Sequence, residues 1–220
     1  LYSLSDLKGL KLTDFLGIDA FSTVSDVVDQ SFQSEYLRKF FKRFTTYNGS
    51  SPYQAPGTLN VIPHVELNQG GYYVNGGMYR ISEALFELSE KMGVSYHFDS
   101  KVEKIEVKEK EATSIHLKEG NEVRADLIVA NSDATDTILN LMDQQSVSNS
   151  KRKRQSSIEP SCSGFVMLLG AKKQWEQLKH HNIFFSEDYE KEFRQIFKEK
   201  TMPDDPTIYV ANTSYTDSEH

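Results

Sequence analysis

Six histidines and one cysteine are the side chains of this 220-residue chain best suited to metal or nucleophilic chemistry. His180-His181 invites a metal ion, but adjacent residues on a strand or helix point apart and share one tetrahedral ion poorly. No His-x-x-x-His accompanies a carboxylate, and Cys162 stands alone. A single buried thiol is ordinarily inert packing. Ser161-Cys162-Ser163-Gly164 is not the Gly-x-Ser-x-Gly elbow of a serine nucleophile. Asp204-Asp205 lies between Pro203 and Pro206, a setting for turn chemistry. His64 has no cysteine or carboxylate at ligand spacing and reads as a hydrogen-bonded structural residue. No acid, base or nucleophile stands out among these side chains.

The elements that would position a site centre on residues 70–142. Gly70-Gly71 precede a short β-favouring piece, Tyr72 to Val74, and Asn75-Gly76-Gly77 breaks the chain before a helix. From Met78 to Met92 the apolar residues Met78, Ile81, Ala84, Leu85, Leu88 and Met92 recur at three and four, one helical face. Gly93 supplies the stop. The period then becomes two. Val94, Tyr96 and Phe98 predict one strand, Val102, Ile105 and Val107 a second, and Ala112, Ile115 and Leu117 a third. Ala125 to Ala130 reads as a buried strand, followed by a helix from Ala134 to Met142. Ala130, Asn131 and Ser132 are candidate binding residues, because ligands of open α/β sheets collect at the carboxyl ends of strands.

Before this stretch, Leu1 to Ser22 predicts short helices joined by turns. Thr23-x-x-Asp26 has the form of a capping box. Val24, Val27, Val28, Phe32, Tyr36, Leu37, Phe40, Phe41 and Phe44 then hold a helical stripe, with Arg38, Lys39, Lys42 and Arg43 among them. One reading makes Phe32–Phe44 a basic aromatic surface resting on a membrane. The plainer one, which we prefer, buries the stripe and solvates its basic back. Pro52, Pro56 and Pro63 forbid a long helix, leaving a short helix or an extended wall at Leu59–Ile62.

Downstream, Lys151-Arg152-Lys153-Arg154 reads as a solvated helix face or loop. Gly164 to Gly170 is a short apolar run predicting a central strand, with partners at Ile183–Phe185 and Thr207–Val210. A helix is expected over Asp188–Lys200.

The formal charge of -7 disfavours a nucleic-acid binder. Mean hydropathy is -0.54, and no apolar run approaches the ~20 residues of a spanning helix. One cysteine and no secretory signal pattern suit a cytoplasmic setting.

Gly76-Gly77-Met78, Val102 with Ile105, and Ala125-Asp126-Leu127-Ile128-Val129-Ala130-Asn131 resemble the middle of the carotenoid desaturase (phytoene dehydrogenase) family of flavoproteins. Tyr47-Asn48-Gly49-Ser50-Ser51-Pro52, Pro160-Ser161-Cys162-Ser163-Gly164-Phe165, His180 to Ser186 and Pro203 to Tyr209 extend the resemblance in order from Thr23 onward. It is nearest to the branch acting on diapocarotenoids, where desaturases and terminal-methyl oxidases lie close together.

The resemblance implies an α+β fold. A partial FAD-binding, Rossmann-like portion would cover 66–142. A substrate portion with a mixed sheet and flanking helices would be assembled from 1–65 and 143–220. It implies FAD as cofactor, a hydrophobic polyene as substrate, and a place in the cytoplasm, peripheral to the inner face of the membrane. Val102 would meet the adenine through its backbone, although by periodicity it is equally an ordinary strand valine. Gly76 and Gly77 would admit close packing near the flavin or simply form a turn. No Gly-x-Gly-x-x-Gly follows a strand, so the chain is expected to be an inner portion of a longer enzyme that alone retains FAD poorly. Rival readings are a carotenoid terminal-methyl oxidase, a flavin amine oxidase and a non-catalytic polyene-binding module.

Overall fold

The computed structural model describes residues 19 and 21–217. The helices expected before Ser22 therefore lie largely outside the described residues. Two compact units are present. One is built from the described residues up to Leu85 and those from Ser161 onward, the other from Phe86–Pro160. These boundaries cut the chain differently from the functional division at 65/66 and 142/143.

In the first unit, Thr23 Oγ1 accepts from the Asp26 backbone N–H at 3.1 Å, while Asp26 Oδ2 accepts from the Thr23 N–H at 2.9 Å. This reciprocal cap starts α1 (Val24–Ser31). Val24 and Val28 on its inner face meet Ala55, with Phe32, Phe41 and Leu59 packed around them. Helix α2 (Glu35–Lys42) continues into a 3-10 turn that ends at Gly49. Phe32 and Phe41 stack at 4.6 Å and Phe44 is buried, whereas Tyr36 and Leu37 stay exposed. The basic residues are also engaged: Lys42 Nζ pairs with Asp29 at 2.9 Å, and Lys39 Nζ donates to the Ser186 and Glu187 carbonyls. Helix α3 (Val61–Gln69) carries Pro63 in its first turn, where no helical bond is lost.

Helix α4 (Tyr79–Lys91) forms as the three-and-four spacing requires. The strand expected at Val94–Phe98 does not. That segment is irregular, and Tyr96 and Phe98 instead pack their rings on Phe86 at 4.5 and 6.0 Å.

The second unit is built on an antiparallel meander of β1 (Val102–Lys108), β2 (Glu111–Leu117) and β3 (Glu122–Arg124). The predicted buried strand at 125–130 is not formed. Leu127 and Val129 are exposed, and only Ile128 tucks inward. An apolar run becomes a strand only where a neighbour accepts its backbone bonds, and no described residue does so beyond the 3.3 Å contact from Ala125 N–H to the Thr113 carbonyl. Helix α5 (Ala134–Asp136) runs on as a π-helical turn, Thr137–Leu141, and α6 (Asn149–Ser156) follows.

In the rest of the first unit, β4 (His181–Phe184) pairs antiparallel with β5 (Ile208–Ala211) around α7 (Tyr189–Arg194). The central strand expected at 164–170 is also absent, so no mixed sheet forms among the described residues. Phe165 to Leu169 are exposed and join no ladder among the described residues. The fold is α+β, with helices and small antiparallel sheets.

Candidate functional site

The second unit contains a cavity of about 870 Å³ between the β1–β2 face and the helical segment that starts at Ala134. Its floor is built by β1. The register passes from Val102 opposite Leu117 to Lys104 opposite His116, leaving Glu103 as an extra residue. Such a bulge bends the strand and re-aims neighbouring side chains. Val102, Glu103 and Ile105 all line the cavity.

The opposite wall is fixed from three directions. Ile105 and Met142 form an isolated parallel bridge. Lys104 Nζ meets Asp143 at 2.9 Å and Glu106 at 3.0 Å. The bonds to Asp143 and Glu106 raise the Lys104 pKa, and the Lys104 bond holds Glu106 below the usual carboxylate range. Arg152, from α6, donates to the carbonyls of Ile138, Leu139 and Met142.

Ala130, Asn131 and Ser132 enter the cavity at the turn into α5. Asp133 caps that helix, its Oδ1 accepting from the Thr135 and Asp136 N–H groups at 2.8 and 3.0 Å. The Ser132 hydroxyl lies 2.7 Å from that of Thr137. Asn140 Nδ2 donates to Asp136 Oδ1 at 2.6 Å.

Four of the six sequence-derived candidates, Val102, Ala130, Asn131 and Ser132, thus line one cavity. Gly76 and Gly77 do not. Their φ values of +84° and +86° form the turn before α4, and the Gly76 N–H donates to Asp217 Oδ2 at 2.9 Å. Side chains with hydrogens at Cβ would strain both positions.

Lys101, Glu103, Asp136 and Asn140 also line the cavity and were not singled out from sequence. Asp136 and Asn140 are four apart on a helix after a candidate binding turn, and that spacing could have indicated them. Glu103 could not be found this way, because a bulge is invisible to a strict period of two.

The chemistry of the lining is selective. Ile105, Ile115 and Ile128 give an apolar wall, and Asn131, Ser132, Asp136 and Asn140 a polar rim. A flat base with an uncharged sugar fits such a lining. A diphosphate does not, since among the described residues Lys101 is the one lining cation and Glu103 and Asp136 oppose it. The residues present therefore fit the adenosine end of FAD and leave the phosphates to be held elsewhere.

Outside the cavity, His180 and His181 place their rings edge to face at 4.4 Å rather than pointing apart, His180 lying at a bend just before β4. Hydroxyls occupy a ring nitrogen of each: Thr216 is 2.7 Å from His180 Nδ1, and Tyr209 is 2.5 Å from His181 Nδ1. His64 Nδ1 meets Asn68 Nδ2 at 3.0 Å. Among the described residues no three His, Cys, Asp or Glu side chains gather as a metal-holding group.

Comparison with known proteins bears on the whole chain. The profile of the family described as flavin containing amine oxidoreductase matches residues 5–213. A 1-hydroxycarotenoid 3,4-desaturase of Flavobacterium sp. (strain P99-3) is 39% identical over 213 residues, 97% of this chain and 42% of its own length. A 4,4'-diaponeurosporene oxygenase of Staphylococcus aureus (strain bovine RF122 / ET3-1) is 36% identical over 206 residues, 94% of this chain and 41% of its own. The chain thus spans about two fifths of the length of these relatives.

Proposed function

Since the chain belongs to the flavin containing amine oxidoreductase family, we propose that it is part of an FAD-dependent oxidoreductase that desaturates a long isoprenoid polyene, phytoene or diapophytoene in type, during carotenoid formation. The observation that carries this reading is the convergence of Val102 and Ala130–Ser132 on one cavity whose lining suits adenosine. In the working enzyme the 66–142 portion belongs to a Rossmann-like FAD-binding domain. The flanking portions contribute to the polyene site.

The flavin, when bound, supplies a hydride acceptor for a saturated carbon pair. The chain's own part is positional. The Val102 backbone and the isoleucine wall would hold the base. Asn131, Ser132 and Asn140 offer amide and hydroxyl groups to the ribose. Glu103 and Asp136 would disfavour phosphate at this end.

The second reading, oxidation of a carotenoid terminal methyl group, is favoured by the similarity to the diaponeurosporene oxygenase. One experiment separates the possibilities. The natural full-length protein is purified anaerobically and mixed with phytoene or diapophytoene while flavin absorbance is followed, and the products are then analysed. Bleaching with added double bonds is expected. A terminal aldehyde identifies the methyl oxidase. A colourless protein that takes up polyene unchanged would make it a binding module and end the proposal.

A further inference from the structure

Residues 144–158 contain four cations and no acid, in a chain of formal charge -7. All four cations lie on α6, an eight-residue helix begun by Ser148, whose hydroxyl accepts from the Lys151 N–H. They do not share one role. Arg152 is turned inward, with Nη1 donating to the Ile138 carbonyl at 2.7 Å and Nη2 to that of Leu139 at 2.9 Å. It thereby satisfies carbonyls toward the C-terminal end of a helical segment, where partners are lacking and the dipole is negative.

Arg152 therefore docks the helix and fixes its rotation. With 3.6 residues per turn, Lys151 and Lys153 lie about 100° to either side of Arg152, and Arg154 about 200° round, nearly opposite. All three are exposed. Among the described residues no carboxylate pairs with any of them, while the nearest preceding acid, Asp143, is taken by Lys104. Ile158, two residues past the helix, is exposed as well.

We propose that α6 is an electrostatic contact for an anionic phospholipid surface, with Lys151, Lys153 and Arg154 facing the headgroups and Ile158 at the acyl boundary. Charge complementarity is local: three unpaired cations fan from one docked helix on an otherwise acidic protein. Their long, flexible stems let all three charged heads reach one planar surface on the side away from Arg152. A nucleic acid is the poorer match, since its affinity rests on many phosphate contacts and on aromatic stacking, and 144–158 holds no aromatic residue. The contact needs no bound flavin and is independent of the reaction.

The test is sedimentation of the natural full-length protein with phosphatidylcholine vesicles, with and without about 30% phosphatidylglycerol. Selective binding to the anionic vesicles is expected, released by about 0.5 M salt because exposed charges are then screened. The triple variant Lys151→Gln, Lys153→Gln, Arg154→Gln keeps Arg152 and should lose about a hundredfold in partition onto the anionic vesicles. The exchange Lys151→Arg, Lys153→Arg, Arg154→Lys should keep it. Equal partition of wild type and glutamine variant overturns the proposal. So does wild-type binding that ignores lipid charge and salt, or tighter binding of the wild type to duplex DNA than to the anionic vesicles.

Discussion

Thr207 gives both of its donors to Glu192: its backbone N–H lies 2.8 Å from Oε1 and its hydroxyl 2.7 Å from Oε2. The buried Ser186 hydroxyl donates to the same Oε2 at 2.7 Å. One buried carboxylate on α7 thus joins the ends of the two strands that flank it. Replacing Glu192 by alanine leaves these donors without an acceptor away from water. The expected loss is roughly 2–4 kcal/mol of unfolding free energy, measured by urea titration. Glu192→Gln should lose less, because the hydroxyls can rotate to accept from the amide.

Gly49 tests a different kind of constraint. Its φ is +66°, and a Cβ placed there would sit 2.5 Å from Ser161 Cβ. Its carbonyl also accepts from the Cys162 N–H at 3.2 Å, so neither segment is free to withdraw. Gly49→Ala adds left-handed strain to overpacking, about 2–4 kcal/mol together. The midpoint of thermal unfolding reads the loss, and a substitution at Gly120, which has open space around it, serves as comparison for the strain alone.

These two relationships show where the sequence is readable. Thr23 and Asp26 are three apart, and their reciprocal cap needs nothing beyond local chain. The same holds for α4 and for the alternation in β1 and β2. Residues 125–130 and 164–170 differ because their apolar character signals a wish for burial without naming the neighbour that provides it. Leu127, Val129 and Phe165 to Leu169 remain exposed for want of a ladder partner among the described residues. The cavity divides in the same way. Asn131 and Ser132 follow from the position of a turn, and Asp136 with Asn140 from their four-residue spacing after it, whereas Glu103 depends on a cross-strand bulge.

Alkaline pH should weaken the first unit through Tyr189. Burial first, and the Glu192 charge second, push its hydroxyl well above the ordinary tyrosine value. Tyr53 is raised in the same direction, again chiefly by burial. Because the folded pKa exceeds the unfolded value near 10, the stabilisation is complete below about pH 10 and is lost as pH rises beyond it. For Tyr189 the slope is about 1.4 kcal/mol per pH unit, with a smaller share from the partly exposed Tyr53. Tyr189→Phe keeps the ring and removes the titration. Urea midpoints taken between about pH 8 and 11 should fall less steeply for this variant than for wild type.

Ala130 offers the most direct test of the cavity, because its small methyl side chain borders the space and holds no hydrogen bond of the surrounding turn. Ala130→Phe would fill part of that space without touching the Asp133 cap or the Ile105–Met142 bridge. In the full-length protein the flavin carried per polypeptide should fall at least about tenfold, the cost of displacing a base from a shaped apolar slot. Thermal unfolding of the flavin-free protein should be unchanged, since an exposed position bears no core packing. Asn131→Ala removes one polar group from the rim and should weaken flavin retention by a smaller factor, about three- to tenfold. Full flavin loading of Ala130→Phe at wild-type affinity would place the adenosine elsewhere and detach the cavity from the cofactor.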